Sequence, residues 1–369
     1  VDTTKGVKGS TAYITSTAVN NEVQHYVAQV GDTKYATLAE AFAAFSAENH
    51  TLALLKDAAW NAATPVYWAA GTQSGYAATL TDALTAAYKA NEGAITIVCR
   101  PGADVGEMTH GHVADDLTIY GNDAYLSDGE CDLEVDTYTF SRETGAQATD
   151  GVCLDKDITI TAYELDNLGV WGQRHTANKV TVNLTDCDGK APEGNVQRVY
   201  ISGTTGVNNI TLTDCDFLTK ATAVYSNADG AIKAVNCSFT GGEVPFNINH
   251  KANGTQTVAV ENCTFTNCGD AGDWKQFAAP LRLVNSGTGT QSAEVTGCAF
   301  AGTVGANGDI LLGDGRTGQA SHDVELKVVN TAANIQAQKP GYYGGETVDA
   351  TKMNTATSPA EGTLETSVA

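Results

Sequence analysis

Hydrolysis of a glycosidic bond needs two carboxyl groups facing each other across roughly 5 to 9.5 Å, and four carboxylates of this chain are candidates. Asp270 and Asp273 lie in Cys268-Gly269-Asp270-Ala271-Gly272-Asp273-Trp274, while Asp309 and Asp314 flank the apolar stretch Ile310-Leu311-Leu312. Arg282 and Arg316 are placed to pair with them. Such a set would make a glycoside hydrolase sooner than a lyase. The opposing reading is turn chemistry, because Asp beside Gly is first a turn residue, and the balance leans away from an enzyme.

A second set has the types needed to hold a sugar without cutting it. Trp171, Tyr200 and Tyr225 occupy matching positions in successive strand-like segments, followed by Asn247 and Arg282. The neighbouring column reads Gln173, Ser202, Asn227, Asn249 and Asn285, and His250 borders it. Ring faces stack on sugars and amides bond hydroxyls, so Trp171, Tyr200, Tyr225, Asn227, Asn247, Asn249, His250 and Arg282 form the expected ligand-binding set. The plain alternative is a covered strand face beneath long loops.

Other constellations carry less. His110-Gly111-His112 with Asp115 and Asp116 has metal-binding residue types, but a polar loop explains it and no metal centre is expected. Gly313-Asp314-Gly315-Arg316-Thr317-Gly318 matches a dinucleotide fingerprint in letters only, since no helix follows it. No cofactor is expected, with structural calcium the one ion the acidity leaves open.

The elements that position these residues are repeats. Cys187, Cys215, Cys237, Cys263 and Cys298 each follow Asp, Asn or Gly, and all but the first precede x-Phe. The motif [DNG]-C-x-F recurs at intervals of 28, 22, 26 and 35 residues. Apolar residues alternate before each cysteine, as Ile210 and Leu212 do before Cys215, which is the period of a half-buried strand. A second alternating segment follows each motif, for example Phe246-Asn247-Ile248 and Leu281-Arg282-Leu283. Unequal intervals suit stacked coils whose loops bulge at the corners. Like residues then lie above like, and the cysteines and phenylalanines form an interior ladder of inert thiols and rings. Ile95 to Val98, Leu117 to Tyr120 and Ile158 to Ile160 read as earlier coils, and Val324 to Val328 closes the series.

Two segments near the start resemble each other. Ala36-Thr37-Leu38-Ala39-Glu40-Ala41 and Ala78-Thr79-Leu80-Thr81-Asp82-Ala83 each place an acid three residues after Thr, close to a capping box, and each leads through a helix to an apolar strand. This is a duplicated helix–strand unit, with at least one helix read as the plug of the solenoid. The divisions expected are an N-terminal segment over 1–93, a parallel β-helix over 94–330, and a C-terminal cap and tail over 331–369. The tail composition, rich in Thr, Ala, Ser and Glu, is that of a stalk joined to a larger surface-anchored chain.

Bulk properties narrow the partners. The net charge of −22 repels nucleic acid and anionic membrane surfaces. No apolar run is long enough to span a bilayer. Nine cysteines, an odd number, argue against a disulfide framework.

The stretch Ala94-Ile95-Thr96-Ile97-Val98-Cys99-Arg100-Pro101-Gly102 after a helix resembles the opening of pectin-lyase-like right-handed parallel β-helices. The segment from Val30 to Ala41 is similar to one common in cell-surface proteins of gut Gram-positive anaerobes, as are Val170 to Arg174 and Asn307 to Arg316. This resemblance implies an all-β, right-handed parallel β-helix and an extracellular or cell-wall location. It implies activity only weakly, because the fold hosts lyases, hydrolases and adhesins. The expected function is an adhesin or glycan-binding module whose partner is a glycan or host surface ligand, with hydrolase or polysaccharide lyase as the alternative.

Overall fold

A computed structural model describes residues 25–90, 93–108, 111–113, 115–127, 131–135, 139–141, 146–148, 157–173, 178–190, 198–202, 206–270, 278–304, 307–313, 324–338, 353–357 and 363–367. The protein is all-β with long parallel sheets. Three of them share the repeats: a long sheet of 12 strands, a second of 10 and a third of 5. The chain visits them in fixed order. Val207–Thr213 lies in the long sheet, Asp216–Thr219 in the third and Val224–Ser226 in the second; Gly230–Val235, Ser238–Gly241 and Phe246–His250 then repeat the circuit. Each strand pairs in parallel with its counterpart one circuit later, as Ile210 with Ile232, Phe217 with Phe239 and Val224 with Phe246.

Alternation explains why these strands share one interior. Ile210 and Leu212 of the long sheet, Phe217 of the third and Val224 of the second are all buried in a single apolar cluster. The intervening Asn209, Thr211 and Thr213 face outward, which is the two-residue period of a sheet wet on one side.

The corner between the long and third sheets accounts for the motif. The residue before each cysteine sits in the left-handed region: Asp186, Asp214, Asn236 and Asn262 have φ of 53, 53, 54 and 53°. Asp and Asn tolerate that conformation better than other side-chain-bearing residues, and Gly297 at 63° adopts it without penalty. Asn330, at 48°, repeats the turn with Thr331 in the cysteine's place, where the Thr331 hydroxyl accepts the Cys298 N–H at 3.0 Å. The turn aims both Cys and the Phe two residues later inward.

Cys187, Cys215, Cys237, Cys263 and Cys298 are free and buried. Cys263 and Cys268, the near pair in sequence, form no bridge, and Asn267 before Cys268 is another left-handed corner. The rings of Phe217, Phe239, Phe265 and Phe300 stack in turn, with centroids 5.5, 4.9 and 5.0 Å apart.

The N-terminal duplication is larger than the sequence suggests. Its first copy is β1 (Ala28–Val30), β2 (Thr33–Tyr35), α1 (Leu38–Phe42) and β3 (Leu52–Leu54). Its second copy is β4 (Val66–Ala70), β5 (Gln73–Ala77), α2 (Leu80–Ala90) and β6 (Ile95–Cys99). Strand order is β2-β1-β3 in one and β5-β4-β6 in the other, all antiparallel. Each copy therefore begins with a hairpin, turned at Gly31 and Gly71 with φ of 54 and 56°. Thr37 and Glu40 form a complete capping box, and Thr79 Oγ1 accepts the Asp82 N–H at 3.1 Å.

The copies differ in their surroundings. β6 pairs in parallel with Leu117–Tyr125 and so starts the parallel run of the long sheet. β3 does not; its Leu52 N–H donates to Asn122 Oδ1 at 2.6 Å. The first copy lies on the outer face of the long sheet, where Phe45 stacks on Tyr120 at 4.3 Å and His50 on Tyr163 at 4.6 Å. Trp60, Tyr67 and Tyr76 join Phe42 in an aromatic cluster between the copies. The apolar face of α2 joins the main core.

At the far end, Thr363–Ser367 and Met353–Thr357 pair antiparallel with the last parallel strands of the long and second sheets. The sequence reads this region as stalk, because its Thr and Ala content shows no apolar alternation. Among the described residues no helix is long and apolar enough to cross a membrane.

Candidate functional site

The second sheet places the expected aromatic column in register: Trp171 beside Tyr200, Tyr200 beside Tyr225, Tyr225 beside Asn247, and Asn247 beside Arg282. That register turns the rings toward each other. Trp171 and Tyr200 stack with centroids 4.4 Å apart, and Tyr200 and Tyr225 at 4.5 Å. Neighbouring strands lie about 4.8 Å apart, close to the stacking distance of two rings, so a column of aromatics covers its own faces. Both faces of Tyr200 are occupied, and a sugar ring has no platform there.

The polar members are equally enclosed. Asn227, Asn247, Asn249, His250 and Arg282 are 5, 2, 3, 0 and 3 % exposed. Arg282 Nη1 donates to Asn247 Oδ1 at 2.9 Å, and the Ser286 hydroxyl donates to Asn249 Oδ1 at 2.8 Å. The neighbouring column also shifts by one residue. Val284 lies beside Asn249, and Asn285 lies beside His250. Leu281 and Leu283 are the inward pair, so they set this register. Gln173 lies beside Ser202 as expected.

His250 belongs to the interior. Its Nε2 lies 2.7 Å from Asp229 Oδ1 and its Nδ1 3.3 Å from Asn285 Oδ1. Asn285 is oriented by its Nδ2 donating to Gly289 O at 2.9 Å. His250 thus staples the start of one long-sheet strand to the ends of two second-sheet strands.

Of the four carboxylates considered for hydrolysis, Asp273 and Asp314 lie outside the described residues, as do Arg316, His110 and Trp274. Asp270 is exposed. Asp309 is 7 % exposed and holds a turn: its Oδ2 accepts the Asn334 N–H at 2.7 Å and its Oδ1 accepts the Thr303 hydroxyl. Among the described residues no group of three or more His, Cys, Asp and Glu is placed to hold a metal ion.

An acidic row does run along the corner ladder, through Asp123, Glu164, Asp186 and Asp214. The Asp186 carboxyl is held above its ordinary range by burial and then by the charges of Asp188, Glu164, Asp123 and Asp214. A carboxyl raised on folding favours the fold while protonated, and that contribution is lost as pH rises through its titration. Ionised Asp186 therefore works against the fold at neutral pH. Asp186→Asn keeps a side chain that Asn236 and Asn262 show to be compatible with this turn. It should raise stability at pH 7 by on the order of 0.5 kcal/mol, a surface-scale effect. The gain should vanish once pH falls well below the unfolded carboxyl value of about 3.9, and urea denaturation at pH 7 and about pH 2.5 would read both.

An open concave surface lies elsewhere, on the outer face of the long sheet. Gly230–Val235, Thr255–Glu261, Thr290–Thr296 and Val324–Val329 line a depression of about 910 Å³. Two outward rows cross it in register: Ala231, Thr257, Ser292 and Glu325, then Lys233, Ala259, Glu294 and Lys327. Small side chains at Ala231, Ala259 and Ser292 leave the floor low. The cations are tied to neighbours, Lys233 to Glu261 at 3.0 Å and Lys327 to Glu294 at 3.2 Å, with every partner more than a third exposed. The signal in the sequence is small residues at outward positions of three neighbouring strands, Ala231, Ala259 and Ser292, which alternation alone does not single out.

Comparison with protein-family models, with curated proteins and with solved structures finds no match to this chain.

Proposed function

We propose that the chain is a right-handed parallel β-helix of the pectin-lyase-like kind, capped by α2, and that it serves as an extracellular glycan-binding module of a larger surface-anchored protein. The fixed circuit through three parallel sheets around one shared core supports the architecture. The observation that carries the function is the depression on the long sheet. It is open, it crosses several strands, and it offers hydroxyls, small apolar side chains and mutually neutralised charges. An extended ligand lying across the strands would meet a new row of side chains about every 4.8 Å. The net charge of −22 disfavours a polyanion, so the ligand class is a neutral polysaccharide.

Glycan-array screening followed by calorimetry tests this reading. Ala259→Trp raises the floor and should weaken binding at least about tenfold, the order of 1.4 kcal/mol. Tyr200→Phe, in the stacked column, should leave affinity unchanged. Silence across plant, host and microbial neutral glycans would sink the proposal, and loss of binding on Tyr200→Phe alone would move the site back to the second sheet.

A further inference from the structure

The sequence contains two Asn-Gly pairs, Asn253-Gly254 and Asn307-Gly308. Their surroundings differ in a way that bears on the chemistry such pairs undergo. Cyclisation requires the glycine nitrogen to lose its proton and attack the asparagine Cγ, while negative charge develops on Oδ1 and the amide nitrogen leaves.

Asn253 and Gly254 are exposed, in the connection between Phe246–His250 and Thr255–Glu261. The Thr288 hydroxyl, from the adjacent circuit, donates to Asn253 Oδ1 at 2.7 Å. It stands where the developing oxyanion needs a donor. The Gly254 N–H donates to Asp229 Oδ1 at 3.0 Å. A general base must lie within hydrogen-bond reach of the proton it takes, and Asp229 does. A folded chain commonly ties such an N–H to a backbone carbonyl, which cannot take up a proton at neutral pH. Here the acceptor is a carboxylate, held in place by buried His250 at 2.7 Å. Gly254 permits this approach, since a Cβ there would meet Asp229 Oδ2 at 2.4 Å.

Asn307 provides the contrast. It is 5 % exposed and its Nδ2 donates to Ala278 O at 3.1 Å, which holds the leaving nitrogen in place.

We propose that Asn253-Gly254 is a self-modification site, at which Asp229 and Thr288 promote intramolecular deamidation of Asn253. The Gly254 nitrogen forms a bond to Asn253 Cγ and its proton passes to Asp229. The Cγ–Nδ2 bond then breaks, the proton is returned to that nitrogen, and ammonia leaves a five-membered succinimide. Water opens the ring at either carbonyl, giving an aspartyl or isoaspartyl residue at position 253. The net change is water consumed and ammonia released, with no oxidant or cofactor. The product adds a negative charge beside Asp229, and in the aspartyl form the oxygen that Thr288 contacts becomes part of a carboxylate. The isoaspartyl form also lengthens the backbone between two circuits.

The test is peptide mapping by mass spectrometry during incubation of the intact protein at neutral pH and 37 °C. Position 253 should convert faster than position 307, and faster in the folded protein than in the urea-unfolded chain. Thr288→Val should slow conversion at 253 by about threefold or more, a modest share of what one oxyanion donor contributes in an enzyme, and Thr288→Ser should restore it. Asp229→Asn should slow it likewise. Thr288 is exposed, so its pair of variants decides the matter even if Asp229→Asn fails to fold. Conversion no faster in the folded than in the unfolded chain, or equal rates in wild type and Thr288→Val, would overturn the assignment.

Discussion

Phe239→Ala should lower the free energy of unfolding by about 3–5 kcal/mol. Phe239 is fully buried, with Phe217 stacked on one side, Phe265 on the other and Phe246 edge-on at 5.7 Å. Truncation removes the ring's transfer free energy and leaves a cavity flanked by two in-register strands, whose ladder hydrogen bonds prevent collapse. Neighbouring rings lose stacking partners as well, each such pair contributing about 0.5–1.5 kcal/mol beyond area. Phe300, at the end of the ladder and only partly buried, is the internal control and should cost less on truncation. Urea denaturation of the two variants checks the difference. Equal losses would mean that the ladder is not the spine of the core.

The second large effect is alkaline. Burial pushes the thiols of Cys99, Cys187 and Cys268 up to about 12. In the row Cys215-Cys237-Cys263-Cys298 mutual hydrogen bonds raise Cys215 and Cys263 and lower Cys237 and Cys298, so the alkaline effect is carried by the other three thiols. Tyr120 and Tyr163 are also raised, chiefly by burial. A group raised on folding stabilises the native state fully below its unfolded value, near 8.5 for a thiol. That stabilisation is lost as pH climbs toward the folded value. Each of the first three thiols should forfeit on the order of 2 kcal/mol by about pH 10.5, at roughly 1.4 kcal/mol per unit. Stability measured at pH 7.5, 9 and 10.5 should therefore fall steeply, and Cys268→Ala should flatten the slope by one proton. In the native state near pH 7.5 iodoacetamide should reach these thiols only through unfolding, because the thiolate is the reactive form. A flat profile to pH 10.5, or rapid native labelling, would contradict the buried ladder.

The fold was legible wherever one side chain had one reason to be where it is. Ile210, Leu212, Cys215 and Phe217 alternate because they face a dry interior, and the same letters recur because circuits stack. Asp214 and Asn236 were visible as letters of the motif, but their role as left-handed corners is a backbone property and emerged only with φ. The first N-terminal hairpin does not show in the sequence because β1 and β2 have three residues each, too few for a period, and the second because β4 and β5, five residues each, are rich in Ala and Gly and do not alternate apolar with polar.

The site was less legible, for a reason built into stacked strands. Trp171, Tyr200 and Tyr225 were aligned correctly, yet alignment does not tell whether a ring presents its face or its edge. The strand spacing decides that, and it favours ring against ring. Asn247, Asn249 and Arg282 alternate outward like surface residues but are buried, because enclosure of an outer face depends on other segments of chain. The depression on the long sheet depends on what is missing from Ala231 and Ala259, and a small residue leaves little trace in a pattern of apolar and polar letters.

The corner at the left-handed residue holds a constant count, with Phe always two positions after Cys, from Cys215-Asp216-Phe217 to Cys298-Ala299-Phe300. The next connection does not: Phe217 to Val224 is short, whereas Phe265 to Leu281 is much longer, and both deliver the chain to the same sheet. Among the bends of a circuit, the one at the left-handed residue meters and the one that follows it tolerates slack. Foreign peptides grafted into the slack joint should leave the stacking undisturbed, whereas a single residue added at the metering joint would turn a ring out of its column and derail every later circuit. Diversification of such a chain has a preferred address, and it is written in the geometry of two bends.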